Sequence, residues 1–105
     1  MYINIVATFP TQSYTAMQYM IELYGFAVRE ESKKMSLSSI IDEIAVVYGS
    51  SSKAVEHSLA RLLNKAKKLG TLEKMLVSAG LKDVDPQNVT LSTLVTIFRI
   101  IYKER

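Results

Sequence analysis

The side chains of this sequence that could act as nucleophile, proton carrier or metal ligand are few and scattered. His57 is the only histidine and cysteine is absent. A metal site would therefore have to be built from carboxylates alone, and no thiolate is available as a nucleophile. Glu56 adjoins His57, but neighbouring residues on a helix point about 100° apart. Glu30–Glu31 and Asp42–Glu43 are adjacent pairs that read as solvated charge rather than as a general acid with its base. The four glycines form no phosphate-cradling loop, and no hydroxyl lies in a nucleophile motif. These residues predict no enzyme, no cofactor and no metal.

The chemistry that the sequence does offer is electrostatic. The net charge is +3, and it is unevenly placed. Lys53, Arg61, Lys65, Lys67 and Lys68 against Glu56 put four net positive charges between residues 53 and 68, while the remaining eight basic and nine acidic residues sum to −1. A basic segment of this kind suits the phosphates of a nucleic acid. It belongs to the stretch IAVVYGSSSKAVEHSLAR, residues 44–61, in which two apolar-periodic runs flank a glycine and three serines.

The elements around this stretch are helical. Tyr14, Met17, Met20, Ile21, Tyr24, Ala27 and Val28 recur at steps of three and four, predicting a first helix with that face inward, ending near Arg29 or Glu30. REESKK follows as a solvated connector of nearly cancelling charge, with no binding role. Ser38 or Ser39 can cap a second helix, with Asp42 and Glu43 complementing its dipole. That helix runs to Tyr48, with Gly49 in the left-handed conformation beyond it. Ser51 or Ser52 caps a third helix, about residues 52–69, whose inward stripe is Val55, Leu59, Leu62, Leu63, Ala66 and Leu69 and which ends at Gly70. A short helix through Leu72, Met75, Leu76 and Ala79 closes at Gly80, Pro86 interrupts the next segment, and Thr90 caps a last helix. Leu91, Leu94, Val95, Phe98, Ile101 and Tyr102 lie on one side of it.

The fold expected is all-α, a compact domain of five to six helices over residues 14–105. YINIVATF, being β-branched and aromatic, predicts an extended N-terminal arm within residues 1–13. Two readings of the arm stay open: it lies over the helices, or it pairs with the same segment of a second chain in a homodimer. The run is too short to span a membrane and has no basic flank ahead of it, and the lack of cysteine suits a reducing compartment. The expectation is a cytoplasmic protein without a membrane partner.

A helix-turn-helix needs a small residue where its helices cross, an apolar residue before it, a turn residue four positions later and a β-branched anchor early in the second helix. Ala45, Ile44, Gly49 and Val55 stand at those spacings, with Tyr48 closing the first helix inward. Ser50 replaces the apolar residue often found after the turn. With Val55, Leu59 and Leu62 inward, Lys53, Glu56, His57, Ala60, Arg61, Asn64 and Lys65 fall outward or on the flanks, Ser51 and Ser52 at the leading end and Lys68 further along. Serine hydroxyls and helix-start N–H groups suit phosphate oxygens, Arg61 can pair with guanine or phosphate, and Lys65, Lys67 and Lys68 suit a passing backbone.

IDEIAVVYGSSSKAVEHSLARLL, from Ile41, resembles the helix-turn-helix in the C-terminal effector domain of the stage-zero sporulation response regulator, the DNA-binding part of a phosphorelay transcription factor. Glu43-Ile44-Ala45 matches the family's Asp-Ile-Ala, Ser50 and Ser51 stand for its threonines, and Val55-Glu56 keeps its Val-Glu. Tyr14 and Ile21 resemble positions in the family's first helix, and VTLSTLVT from Val89 looks like its Pro-Thr-Asn-Ser-Glu-Phe-Ile-Ala segment. The likeness spans residues 14–101 and is most specific over 43–63. Ala54, His57 and Ala60 occupy places where the family has arginine, and Arg61 stands where it has histidine. No phospho-accepting receiver domain lies in these 105 residues, so control by phosphorylation is not carried over unless the chain is a fragment of a longer regulator. The resemblance implies a bacterial DNA-binding transcription regulator, with a changed target site or lost base readout, acting alone or with a regulatory protein partner. The alternative is a helical protein-interaction module that keeps the fold and uses Met- and Tyr-rich surfaces.

Overall fold

Most helices of this chain begin where a short polar side chain takes the place of a missing carbonyl. In the computed structural model, which describes residues 4–103, Asn4, Ser13, Ser36 and Ser51 accept the backbone N–H three residues on at 3.0 to 3.1 Å, and Thr90 does so at 3.2 Å. The elements that follow are α1 (Ile5–Thr8), α2 (Tyr14–Val28), α3 (Leu37–Tyr48), α4 (Ser52–Leu69), α5 (Thr71–Ser78) and α6 (Leu91–Lys103). Single 3-10 turns lie at Glu30–Ser32 and Pro86–Asn88. There is no strand among the described residues, so the domain is all-α, with six helices.

The cap of α3 is Ser36, not Ser38 or Ser39. Ser36 Oγ accepts from the Ser39 N–H and donates to Ser39 Oγ, both at 3.1 Å. The helix thereby starts earlier, and Asp42 and Glu43 lie beyond its first turn.

YINIVATF also departs from the expected extended arm. Residues 5–8 form the turn of α1, Thr8 and Phe9 are buried, and residues 1–3 lie outside the described part. A strand without a neighbour leaves its backbone groups unpaired, whereas a helical turn pairs some of them locally, as Phe9 N–H does with Ile5 O at 2.9 Å. Thr71, opening α5, donates its hydroxyl to Thr8 O at 2.6 Å, and the Phe9 ring meets Phe98 edge to face at 6.3 Å.

α2 packs against α3, α4 and α6 together. Its buried residues are Tyr19, Met20, Leu23 and Ala27, a face turned from the stripe that periodicity picked out: Tyr14 is 77% exposed and Ile21 40%. The helix is apolar nearly all round, so spacing by itself does not say which side faces in. α4 and α6 are more one-sided. Val55, Leu59, Leu62, Leu63 and Ala66 are buried on α4, and Leu94, Val95, Phe98 and Ile101 on α6, while Leu69 and Tyr102 lie exposed at the helix ends.

Side chains tie the helices at their ends. Arg99 Nε donates to Ala27 O at 2.9 Å, and one of its Nη groups to Met35 O at 3.3 Å, joining α6 to the end of α2 and to the loop before α3. Ser32, buried, donates to Phe26 O at 2.8 Å. No buried side-chain nitrogen or oxygen among the described residues lacks a partner.

Phe98 is fully buried between Phe9 and Tyr24, whose ring is 5.1 Å from it. Phe98→Ala should cost about 3–5 kcal/mol in urea unfolding, since it removes an aromatic ring from a closed core. Leu69→Ala, at an exposed position, should stay within roughly 0.5 kcal/mol of the parent. Equal losses would mean that the α4 and α6 faces are wrongly placed.

Candidate nucleic-acid interface

The joint between α3 and α4 is made by backbone geometry. Gly49 has φ 61° and ψ 37°, the left-handed region. That turn brings Gly49 N–H to Val46 O at 3.3 Å and Ser50 N–H to Ala45 O at 2.9 Å, so two carbonyls at the end of α3 are paired as the chain reverses. Ser51 returns to an extended conformation and caps α4 through the Ala54 N–H at 3.1 Å. Ile44, Ala45, Val55 and Leu59 are all buried. α2 packs on both α3 and α4. Tyr48, expected to close inward, lies at the edge. Its ring meets Tyr19 edge to face at 5.5 Å and its hydroxyl donates to Gln18 Oε1 at 3.3 Å. Partial desolvation, with Glu22 nearby, pushes its phenol above the ordinary value.

On α4 the structure brings the expected outward residues to one side. Ser51, Lys53, Glu56, His57, Arg61, Asn64, Lys65 and Lys68 are exposed, and Ser52 and Ala60 are half-buried. Lys53, His57, Arg61, Asn64 and Lys68 follow one line along the helix at steps of three and four residues. At about 1.5 Å of rise per residue this line is roughly 22 Å long, more than the ~12 Å width of a DNA major groove. A helix entering such a groove end-on would place Lys53, His57 and Arg61 at its floor and leave Lys65 and Lys68 to the flanking phosphates. The only ion pair among the described residues is Lys33–Glu30, on the connector after α2, so none of these cations is neutralised by a carboxylate there. Lys67 is turned aside, its Nζ donating to Gln87 O at 3.2 Å.

Two features of this surface are not visible in the sequence pattern. Asp42 Oδ1 accepts the Ser52 hydroxyl at 2.5 Å, so the carboxylate assigned to the start of α3 stands at the start of α4 instead, where it complements that helix's dipole. Ser52 therefore does not offer its hydroxyl to an outside phosphate, a correction to its expected role, whereas Ser51 remains exposed. The second feature is apolar: Val46 and Val47 project from the last turn of α3 and are 78% and 60% exposed.

Comparison with models of protein families, with curated proteins and with solved structures returns no match to this chain. Among the described residues, no group of three or more His, Asp or Glu side chains is placed to hold a metal ion, and no helix is long and apolar enough to cross a membrane.

A Cβ added at Gly49 would meet nothing within 4 Å, so the demand for glycine there comes from φ alone. Gly49→Asn should melt close to the parent, because asparagine tolerates the left-handed region. Gly49→Val should lose about 1–3 kcal/mol, read as a drop in Tm. Similar melting of Val and Asn variants would show that the turn can re-form without a left-handed residue.

Proposed function

We propose that residues 37–69 bind double-stranded DNA as a helix-turn-helix, with α4 as the recognition helix. The observation that carries this reading is the exposed line of cations on α4, without carboxylate partners among the described residues, on a helix whose opposite face is wholly buried. The likeness of residues 43–63 to the sporulation effector domain makes transcription regulation the role, and the replaced arginines make a different target site the expectation. Loss of bidentate arginine contacts removes guanine readout worth roughly 1–3 kcal/mol each. Binding to a random DNA pool at two salt concentrations, with enrichment read by sequencing, tests the reading. Enrichment of a common site, weakening steeply with salt, supports it.

A second reading is favoured by Val46 and Val47, and by Tyr14 and Ile21 on the outer side of α2. Apolar side chains at these exposures fit a protein-interaction module that keeps the same helices. Its binding would respond little to salt, and the pool would then enrich nothing.

Lys65→Ala should weaken DNA binding about equally on all sequences and reduce the salt slope by roughly one counterion. An unchanged affinity and slope would remove Lys65 from the interface.

Arg61→Ala should relax preference at one base pair by about 1–3 kcal/mol, with a smaller contribution from His57 one turn earlier. Competition between the selected site and scrambled DNA, using His57→Ala/Arg61→Ala against the parent, separates base reading from backbone contact. An equal loss on both DNAs would mean that these side chains touch only phosphates.

A further inference from the structure

The last turns of α2 and α6 border a cavity of about 550 Å³ to which α4 contributes no residue. Lys33 and Lys34 reach it from the connector after α2, Arg99 and Lys103 from α6, and Glu30 is the one carboxylate in its wall among the described residues. That carboxylate is already engaged. Lys33 Nζ bonds its Oε1 at 2.7 Å, and this hydrogen bond, followed by the charges of Lys33 and Lys103, holds Glu30 below the usual carboxylate range against a smaller opposing effect of desolvation. Among the described residues, four cations and one carboxylate leave three net positive charges facing one concave surface.

Cations are favoured near helix C-termini, but that accounts for only part of the cluster. Arg99 holds Ala27 O and Met35 O with Nε and one Nη, which fixes its half-buried guanidinium in place. The other Nη has no acceptor among the described residues. Lys34 and Lys103 likewise have no carboxylate partner there. Gathering them raises their mutual repulsion, which a bound anion would relieve. The wall is not all polar, because Val28 and Tyr102 supply apolar surface beside the cations. Its volume lies in the range of about 300–1,000 Å³ usual for small-molecule sites.

We propose that this cavity binds a small organic phosphate. Its phosphate is held by Lys34, Lys103 and the remaining guanidinium donors of Arg99, and its apolar or ring portion lies over Val28 and Tyr102. A fixed guanidinium flanked by flexible ammonium groups suits a multiply charged, tetrahedral anion better than a single carboxylate. The site is independent of the DNA reading, since no residue of α4 contributes to it.

The test is calorimetric titration of the full chain with adenosine diphosphate, adenosine and inorganic pyrophosphate. It is repeated on Lys34→Ala/Lys103→Ala and on Lys65→Ala/Lys68→Ala, with circular dichroism to show that both double variants remain folded. All four lysines are exposed, so the fold should persist. Adenosine diphosphate should saturate one site on the parent, bind more tightly than pyrophosphate and leave adenosine without measurable binding. Lys34→Ala/Lys103→Ala should weaken it by about tenfold or more, as expected for the loss of two charge-assisted contacts. Lys65→Ala/Lys68→Ala should leave it unchanged. The proposal is overturned by absence of saturable binding, by adenosine binding as well as its diphosphate, or by pyrophosphate matching the nucleotide. It is equally overturned if Lys34→Ala/Lys103→Ala binds like the parent, or if both double variants lose affinity alike.

Discussion

Withdrawal of the inner face of α2 from water is the constraint on which the other elements depend. Met20, Leu23 and Ala27 are fully buried where α2 packs against α3, α4 and α6. At about 25 cal/mol per Å² of apolar surface, the burial favours any arrangement that brings the three together. Directional contacts then select one of these. Arg99 ties α6 to the end of α2, and Gly49 turns α4 back across α3. Because α4 must give its Val55–Leu59–Leu62 face to this core, its opposite face is held outward as a rigid row. The proposed reading surface is thus a consequence of the packing around α2.

The same packing sorts charge. Along the chain, the excess of positive residues falls between Lys53 and Lys68, and the rest nearly cancels. In space a second basic region appears, because the end of the REESKK connector meets the end of α6. Glu30 is paired with Lys33 there, while Lys34, Arg99 and Lys103 converge without further carboxylates from the described residues. Linear charge counting averages over neighbours in sequence, and it misses cations separated by some seventy residues that share one cavity. Conversely, Asp42 lies ten residues ahead of Ser52 and puts a carboxylate at the leading end of α4.

The sequence by itself determined the helices that begin with a strong cap and have one clearly apolar side. α4 has Ser51 before it and Gly70 after it, so its limits and its buried stripe from Val55 to Ala66 were legible, while Leu69, expected inward, is exposed and Lys67 is turned aside to Gln87 O. So was the left-handed Gly49, because few other residues end one helix and release the next within three positions. α6 was legible for the same reasons, with Thr90 as its cap. These are local effects, in which hydrogen bonds and apolar spacing act within a few residues of each other.

Tertiary structure alone decided where several alternatives were locally equal. α2 is apolar on nearly every side, and only the positions of α3, α4 and α6 selected Tyr19, Met20, Leu23 and Ala27 over Tyr14 and Ile21. YINIVATF has strand-forming residues but no second strand to pair with, so residues 5–8 took a helical turn and Phe9 entered the core against Phe98. The partner of Asp42 and the cavity between α2 and α6 also depended on contacts distant along the chain. Local preferences differ by a fraction of a kcal/mol to about 1 kcal/mol per residue, whereas burying one large side chain is worth about 1.5–3 kcal/mol, so where the two compete the long-range contact prevails.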